Sequence, residues 1–288
     1  MKTLVIGGTG QLGQALGATV PAEFDLVAVD RAELDISDAD QVSKVSREVR
    51  PAVIINAAAY TAVDEAESHE ELAHAVNAVG PRNVAGAAMD VGARLIHVST
   101  DFVFDGEAVE PYRPDSATHP LNSYGRSKFD GEQAVLKAMP GTAAVIRTAW
   151  LYSSTGANFV TTMLRLMRER DEVNVVADQR GTPTWANSLA EAVWALVDVR
   201  EFHGIYHWTD AGECTWHEFA VAIQEEAISL GLLDRPIPIH PITTDEYPTA
   251  AKRPAYSVLD CSETIALLGL QPEPWRVNLR RMLKGMRT

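Results

Sequence analysis

The chain of 288 residues carries 25 Lys and Arg against 39 Asp and Glu, a formal charge of −14, with 46% hydrophobic and 22% charged residues. That hydrophobic share fills a sizeable core and excludes intrinsic disorder, and the length suits two domains or one large α/β unit with an appendage. The negative balance, with no dense Lys/Arg run to offset it, argues against a nucleic-acid partner.

Cys214 and Cys261 show neither CxxC spacing nor a repeat, which argues against a disulfide framework and a cysteine zinc site and fits a reducing, cytoplasmic compartment. The longest apolar stretches, residues 52–59 and 192–197, fall short of the ~18 residues of a membrane span, so no membrane partner is expected. The apolar run after Met1 and Lys2 is too short for a secretory signal.

In chain order, apolar β-branched runs at residues 3–6, 25–29, 52–55, 94–99 and 143–147 read as buried strands. Helical periodicity fills the gaps at 11–19, 38–49, 68–90 and 122–138, with a break expected near Gly80 and Pro81. Such alternation predicts repeated βαβ units and a doubly wound parallel sheet covered on both faces. After Trp150 the rhythm loosens, with helices near 158–170, 188–197 and 215–229 and strands near 173–176 and 204–206. Pro236, Pro238, Pro241, Pro248 and Pro254 then suit an extended segment laid over a surface and argue against a continuing sheet.

The first strand runs directly into Gly7, Gly8, Thr9, Gly10, Gln11, Leu12 and Gly13, a GxxGxxG turn opening onto an apolar helix. Glycines let the backbone approach a pyrophosphate closely, and the helix N-terminus supplies free N–H groups. The expected fold is therefore Rossmann-type, binding a dinucleotide. At the end of the second strand, Asp30 is placed to accept hydrogen bonds from an adenosine ribose, while Arg31 beside it can pair with a 2′-phosphate. NADH and NADPH both remain open. Asp35 and Ile36 offer a polar edge and an apolar face for adenine.

The fourth strand ends in Ser99, Thr100 and Asp101, and Tyr124 and Lys128 follow four apart on one helix face. A tyrosine hydroxyl can protonate a carbonyl oxygen as hydride reaches the carbon, and a neighbouring ammonium is expected to lower its pKa. Lys128 can also hold a nicotinamide ribose, and Thr100 can position the substrate oxygen.

These residues resemble the extended short-chain dehydrogenase/reductase superfamily. Within it, the stretches STDFVFDG (99–106), PLNSYGRSK (120–128), RTAWLY (147–152), NFV (158–160), DQRGTPT (178–184) and RPAYSVLD (253–260) are similar to the dTDP-4-dehydrorhamnose reductases, along essentially the whole chain. The resemblance implies the last step of dTDP-L-rhamnose synthesis, reduction of the C4 ketone of dTDP-4-dehydro-β-L-rhamnose with NADPH or NADH. It places Thr100, Tyr124 and Lys128 as catalytic residues and Gly7, Gly10, Gln11, Leu12, Gly13, Asp35, Ile36, Ala57, Ala58 and Tyr60 along the cofactor. Thr100, Asp101, Phe102, Trp150 and Asn158 fall toward the sugar nucleotide, with Trp150 packing on the sugar. The family usually has tyrosine where Phe102 stands. No ligand set for a metal is recognisable. The diphosphate of such a substrate needs local positive charge, and Arg253 is the first choice for it. The domains expected are 1–150 for NAD(P) and 151–288 mainly for the sugar-nucleotide substrate, with a segment near 173–203 returning to the first. The partner expected is a dTDP-sugar, and the state a monomer or homodimer.

Several polar groups read as structural. Asp64, Glu65, Glu67, Glu70 and Glu71 suit a solvated helix N-terminus better than a cation site. His97 lies in an apolar strand and reads as core; His203 and His207 are four apart, but on a strand and without a third ligand. Trp208 and Trp216 read as core. Two other functions stay open: a cofactor-binding regulatory subunit similar to that of methionine adenosyltransferase, and a sugar-nucleotide epimerase or dehydratase. The intact Thr100, Tyr124 and Lys128 set disfavours the first, and Phe102 cannot serve as the acid/base of the second.

Overall fold

The computed structural model describes residues 1–286. In chain order its elements are β1 (Lys2–Ile6), α1 (Gln11–Ala18), β2 (Asp25–Val29), α2 (Ala39–Val49), β3 (Val53–Asn56), α3 (Val63–Ala66) and α4 (Glu70–His74). A π-helical turn (Ala75–Val79) leads into α5 (Gly80–Val91), followed by β4 (Arg94–Thr100), α6 (Ser123–Ala138), β5 (Ala143–Thr148), β6 (Leu151–Tyr152) and α7 (Phe159–Glu169). The remainder comprises β7 (Val173–Val176), β8 (Arg180–Gly181), β9 (Thr184–Trp185), α8 (Ala186–Asp198), β10 (Gly204–His207), β11 (Cys214–Thr215), α9 (Trp216–Ser229), β12 (Ile239–Ile242), α10 (Ser262–Leu268) and α11 (Trp275–Gly285).

Six strands form one parallel sheet in the order β10-β5-β4-β3-β1-β2. This is the doubly wound sheet that the alternating pattern predicts. The chain reverses its direction of travel between β1 and β3, and ligand crevices of such sheets open at that point, beyond the strand C-termini. β3 and β5 are buried along their whole length, whereas β2, at the sheet edge, is only partly covered. On one face Leu16, Leu189, Val193 and Trp194 pack over Val5, Ile55, Ile96 and Ile146; on the other, Val84, Ala88 and Val135 cover Leu4, Ile6, Ile54 and Leu95. A separate core in the second half gathers Leu164, Met167, Phe219, Ile223, Leu279 and Leu283.

Three elements differ from the sequence reading. Gly80 and Pro81 do not break the helix: Pro81 occupies the first turn of α5, where a missing N–H is tolerated, and the π turn ahead of it absorbs the change of register. The proline-rich segment does contain a strand, β12, paired in parallel with β7. Pro241 fits there because β12 has a partner on one side only. β7 therefore stays out of the main sheet, and within the region near 173–203 it is α8 that packs on the first half, with β10 just beyond completing the sheet.

Candidate active site

A cavity of about 690 Å³ runs along the C-terminal ends of β1, β3 and β4 and is closed on its far side by residues of the second half. Its first wall is the glycine turn. Gly7 has φ +93°, and a Cβ there would stand 2.8 Å from the N atom of Ala58; a Cβ on Gly13 would reach 2.1 Å from the Gly7 carbonyl oxygen. Only glycine permits this approach of strand, turn and helix. Gly10, the N-cap of α1, provides no side-chain acceptor, so the first-turn N–H groups face the cavity uncapped. Gly7, Gly10, Gln11 and Leu12 line the cavity, whereas Gly13 acts behind them through packing. Ala57, Ala58 and Tyr60 form the adjoining wall after β3.

Beyond β2, Asp30 lies outside the residues that line the cavity; its Oδ1 accepts the N–H groups of Ala32 and Glu33 at 2.8 and 3.2 Å, closing its own turn. Arg31, Asp35 and Ile36 do line the wall. Asp35 accepts the Ser37 hydroxyl and N–H at 2.6 and 2.9 Å, which hold its carboxyl below the usual range, and the side chain of Arg31 has no hydrogen-bond partner among the described residues.

At the centre, β4 delivers Thr100 and α6 delivers Tyr124 and Lys128. Asn122 caps α6 through Gly125 N–H at 2.7 Å. Burial pushes the Tyr124 phenol up to about 12, against the lowering effect of the Thr100 hydroxyl, where the sequence reading expected a lowering by Lys128. Lys128 Nζ donates to the carbonyl of Val98 at 2.7 Å. Burial also brings Lys128 down to about 8, opposed by the charge of Glu132. Thr100 Oγ1 donates to Asp101 Oδ1 at 3.0 Å, and Phe102 packs edge-on against Tyr124 with centroids 5.6 Å apart.

The opposite wall comes from Trp150 and residues of the second half. Trp150 has φ +45°, an uncommon conformation for a bulky residue, and stacks on Trp216 with centroids 3.5 Å apart and planes at 8°. Trp216 packs against the second-half core, on Phe159 and Phe219, as the sequence reading expects, and also lines the cavity; Trp208 is core, 2% exposed. Asn158 lines the cavity, but its Nδ2 donates to Gln11 Oε1 and Ser153 O, tying α7 to the glycine turn. Arg253 lines the cavity and is ion-paired with Asp64 at 2.7 Å.

The acidic segment is more engaged than a solvated helix end. Besides Asp64, Glu67 accepts the Ser123 N–H at 2.6 Å and Glu70 accepts the Ser123 hydroxyl, beside Tyr124. His97 is fully buried with Nδ1 at 3.2 Å from Asn56 Nδ2, and burial keeps it neutral. Among the described residues no group of three or more His, Cys, Asp or Glu side chains could hold a metal ion, and no helix is long and apolar enough to cross a membrane.

Known proteins are similar to this chain along its whole length. The chain is similar to a dTDP-4-dehydrorhamnose reductase of Aggregatibacter actinomycetemcomitans, 40% identical over 99% of this chain and 98% of that protein. Its structure is similar to that of a dTDP-4-dehydrorhamnose reductase from Clostridium acetobutylicum, with TM-score 0.93 and 39% identity covering all of both chains. A third relative, the reductase of Bacillus anthracis solved in complex with NADP, matches with TM-score 0.92 and 39% identity over 100% of this chain and 99% of that one. The family of the RmlD substrate binding domain matches residues 1–288, and the chain belongs to this family, that of the dTDP-4-dehydrorhamnose reductases.

Proposed function

We propose that the cavity reduces the C4 ketone of dTDP-4-dehydro-β-L-rhamnose to the alcohol with NADPH, the last step of dTDP-L-rhamnose biosynthesis. The observation that carries this reading is that Thr100, Tyr124 and Lys128 line one cavity with an uncapped glycine turn. The glycine approach at Gly7 and the open N–H groups of α1 fit a dinucleotide pyrophosphate. A bound nicotinamide cofactor supplies hydride to the carbonyl carbon.

Tyr124 gives its proton to the ketone oxygen. Burial keeps the phenol protonated at neutral pH, the form a proton donor needs. Thr100 orients the same oxygen through its hydroxyl, and Lys128 holds the cofactor ribose beside it. Trp150 and Trp216 offer a stacked apolar wall to the sugar, and Arg253 supplies charge for the diphosphate. At the other end, the unpaired guanidinium of Arg31 suits a 2′-phosphate, so NADPH is the preferred cofactor.

The test follows NADPH absorbance with the 4-keto-L-rhamnose nucleotide generated in place. One NADPH is consumed per sugar, and deuterium from labelled cofactor appears at C4. An epimerase would show no net oxidation. A folded, cofactor-binding preparation that oxidises nothing would replace this reading with that of a regulatory subunit. Arg31→Ala is expected to move the ratio of NADPH to NADH specificity toward NADH by about tenfold, one charged hydrogen-bonded contact; an unmoved ratio removes Arg31 from cofactor choice.

A further inference from the structure

Among the described residues, three cations line the cavity: Arg31, Lys128 and Arg253. Arg31 stands with Leu34 and Asp35 at the adenosine end, and Lys128 is buried on the carbonyl of Val98. Arg253 is therefore the cation available to an anion at the substrate end.

Its guanidinium is held in place. Nη1 and Nη2 donate to Oδ1 and Oδ2 of Asp64 at 3.1 and 2.7 Å, an end-on pair of parallel hydrogen bonds. Nη1 donates further to Thr249 Oγ1 at 2.6 Å and to the Ala251 carbonyl at 3.2 Å. The Ala251 N–H in turn donates to Asp64 Oδ1 at 3.1 Å, so one carboxylate grips both the guanidinium and the backbone two residues before it. The Arg253 hydrogen bonds lower the carboxyl pKa of Asp64, which keeps it charged.

A guanidinium carries five N–H donors arranged as forks. Asp64 occupies the end-on fork. The side-on fork, Nε–H with the second Nη2–H, meets no acceptor among the described residues. Two oxygens of a phosphate match that edge.

We propose that Asp64 is a positioning residue for sugar-nucleotide binding: it clamps Arg253 by the end-on fork so that the side-on fork meets the diphosphate. The inference rests on the reading of Arg253 as the diphosphate cation. Two effects of Asp64 oppose one another. Its charge repels an approaching diphosphate, but the carboxylate is 44% exposed, so water screens the repulsion. Its grip removes rotamer freedom that a loose arginine would lose on binding. Positioning outweighs repulsion.

The sign makes this testable by calorimetric titration of dTDP into wild type, D64N, R253M and the double variant, with NADPH affinity, KM and kcat alongside. D64N is expected to weaken dTDP binding and raise KM for the sugar nucleotide about tenfold, with a smaller change in kcat and unchanged NADPH affinity. R253M loses at least as much, and adding D64N to it costs nothing further, because the two act as one unit. D64E retains the charge while displacing the fork by a methylene; it is expected to lose about threefold and serves if D64N does not fold. Binding of dTDP by D64N that equals or exceeds wild type, with R253M weakened, overturns the inference and marks Asp64 as a competitor. An equal loss of NADPH affinity in D64N also overturns it, as a general structural effect. If R253M itself binds dTDP undiminished, the reading of Arg253 fails first.

Discussion

Asp101 is 2% exposed, with Oδ1 receiving the Thr100 hydroxyl. Burial raises its carboxyl to about 6, opposed by the Ser257 and Thr100 hydroxyls. An acid whose folded pKa lies above its unfolded value favours the proton in the native state. No stability is lost to it below pH 4, where both states are protonated; the loss grows between pH 4 and 6 and is complete above 6. Asp101→Asn cannot ionise and still accepts from Thr100. The variant is expected to gain stability over wild type as pH rises through that window, by on the order of 2–3 kcal/mol at pH 7. Thermal melts of the pair at pH 4.5 and 7.5 check it, and a difference independent of pH would refute a desolvated carboxylate. Tyr124→Phe separates proton donation from packing at the same site. It keeps the edge contact with Phe102 and should fold and bind NADPH normally, with turnover lower by at least ~100-fold in steady-state assays.

At the scale of elements, α6 depends on the helical stretch before it. The π turn at Ala75–Val79 brings the Asn77 carbonyl to the place where a Cβ on Gly131 would stand, 2.1 Å away. Gly131→Ala is expected to push α6 off this stretch at a cost of about 2 kcal/mol or more, visible as a lower Tm and lower activity. Gly86→Ala is the control: nothing lies within 4 Å of its Cβ, and removing a helical glycine should stabilise by about 0.5–1 kcal/mol. Equal melting shifts in the two would contradict the close contact. The contrast also shows where sequence reasoning reaches. β1, β3, β4 and β5 are legible within one residue because both of their faces are buried, and Tyr124 with Lys128 because four residues on a helix share a face. Partners distant in sequence leave no local trace. Asp64 meets Arg253 across 189 residues and Glu67 meets Ser123 across 56, so an acidic run looked merely solvated. Trp216 also faces the cavity, stacked on Trp150, a partner distant in sequence that no local pattern announces.

Across the whole molecule, the first half is completed by residues that lie within the second. β10 pairs with β5 through Gly204–His207, and α8 covers one sheet face, with Trp194 stacked on Phe24 and its Nε1 donating to Leu16 O at 3.1 Å. Arg94 reaches back to the carbonyls of Val197 and Val199 at 2.8 and 2.6 Å. We propose that the nucleotide-binding unit is discontinuous and that a cut near residue 150 does not divide two folding units. Cutting there strips α8 from Val5, Leu16, Ile55 and Ile146 and turns β5, buried along all its length, into an open edge. Such an edge pairs with other chains. A fragment of residues 1–150 is therefore expected to contain the complete glycine turn, Thr100, Tyr124 and Lys128, yet to aggregate, to melt without a cooperative transition and to bind no NADPH. Circular dichroism melts and calorimetric titration of the fragment beside the full chain decide it. A soluble fragment with a sharp transition and NADPH affinity near that of the full chain would restore a boundary at 150 and reduce α8 and β10 to ornaments of an already stable sheet.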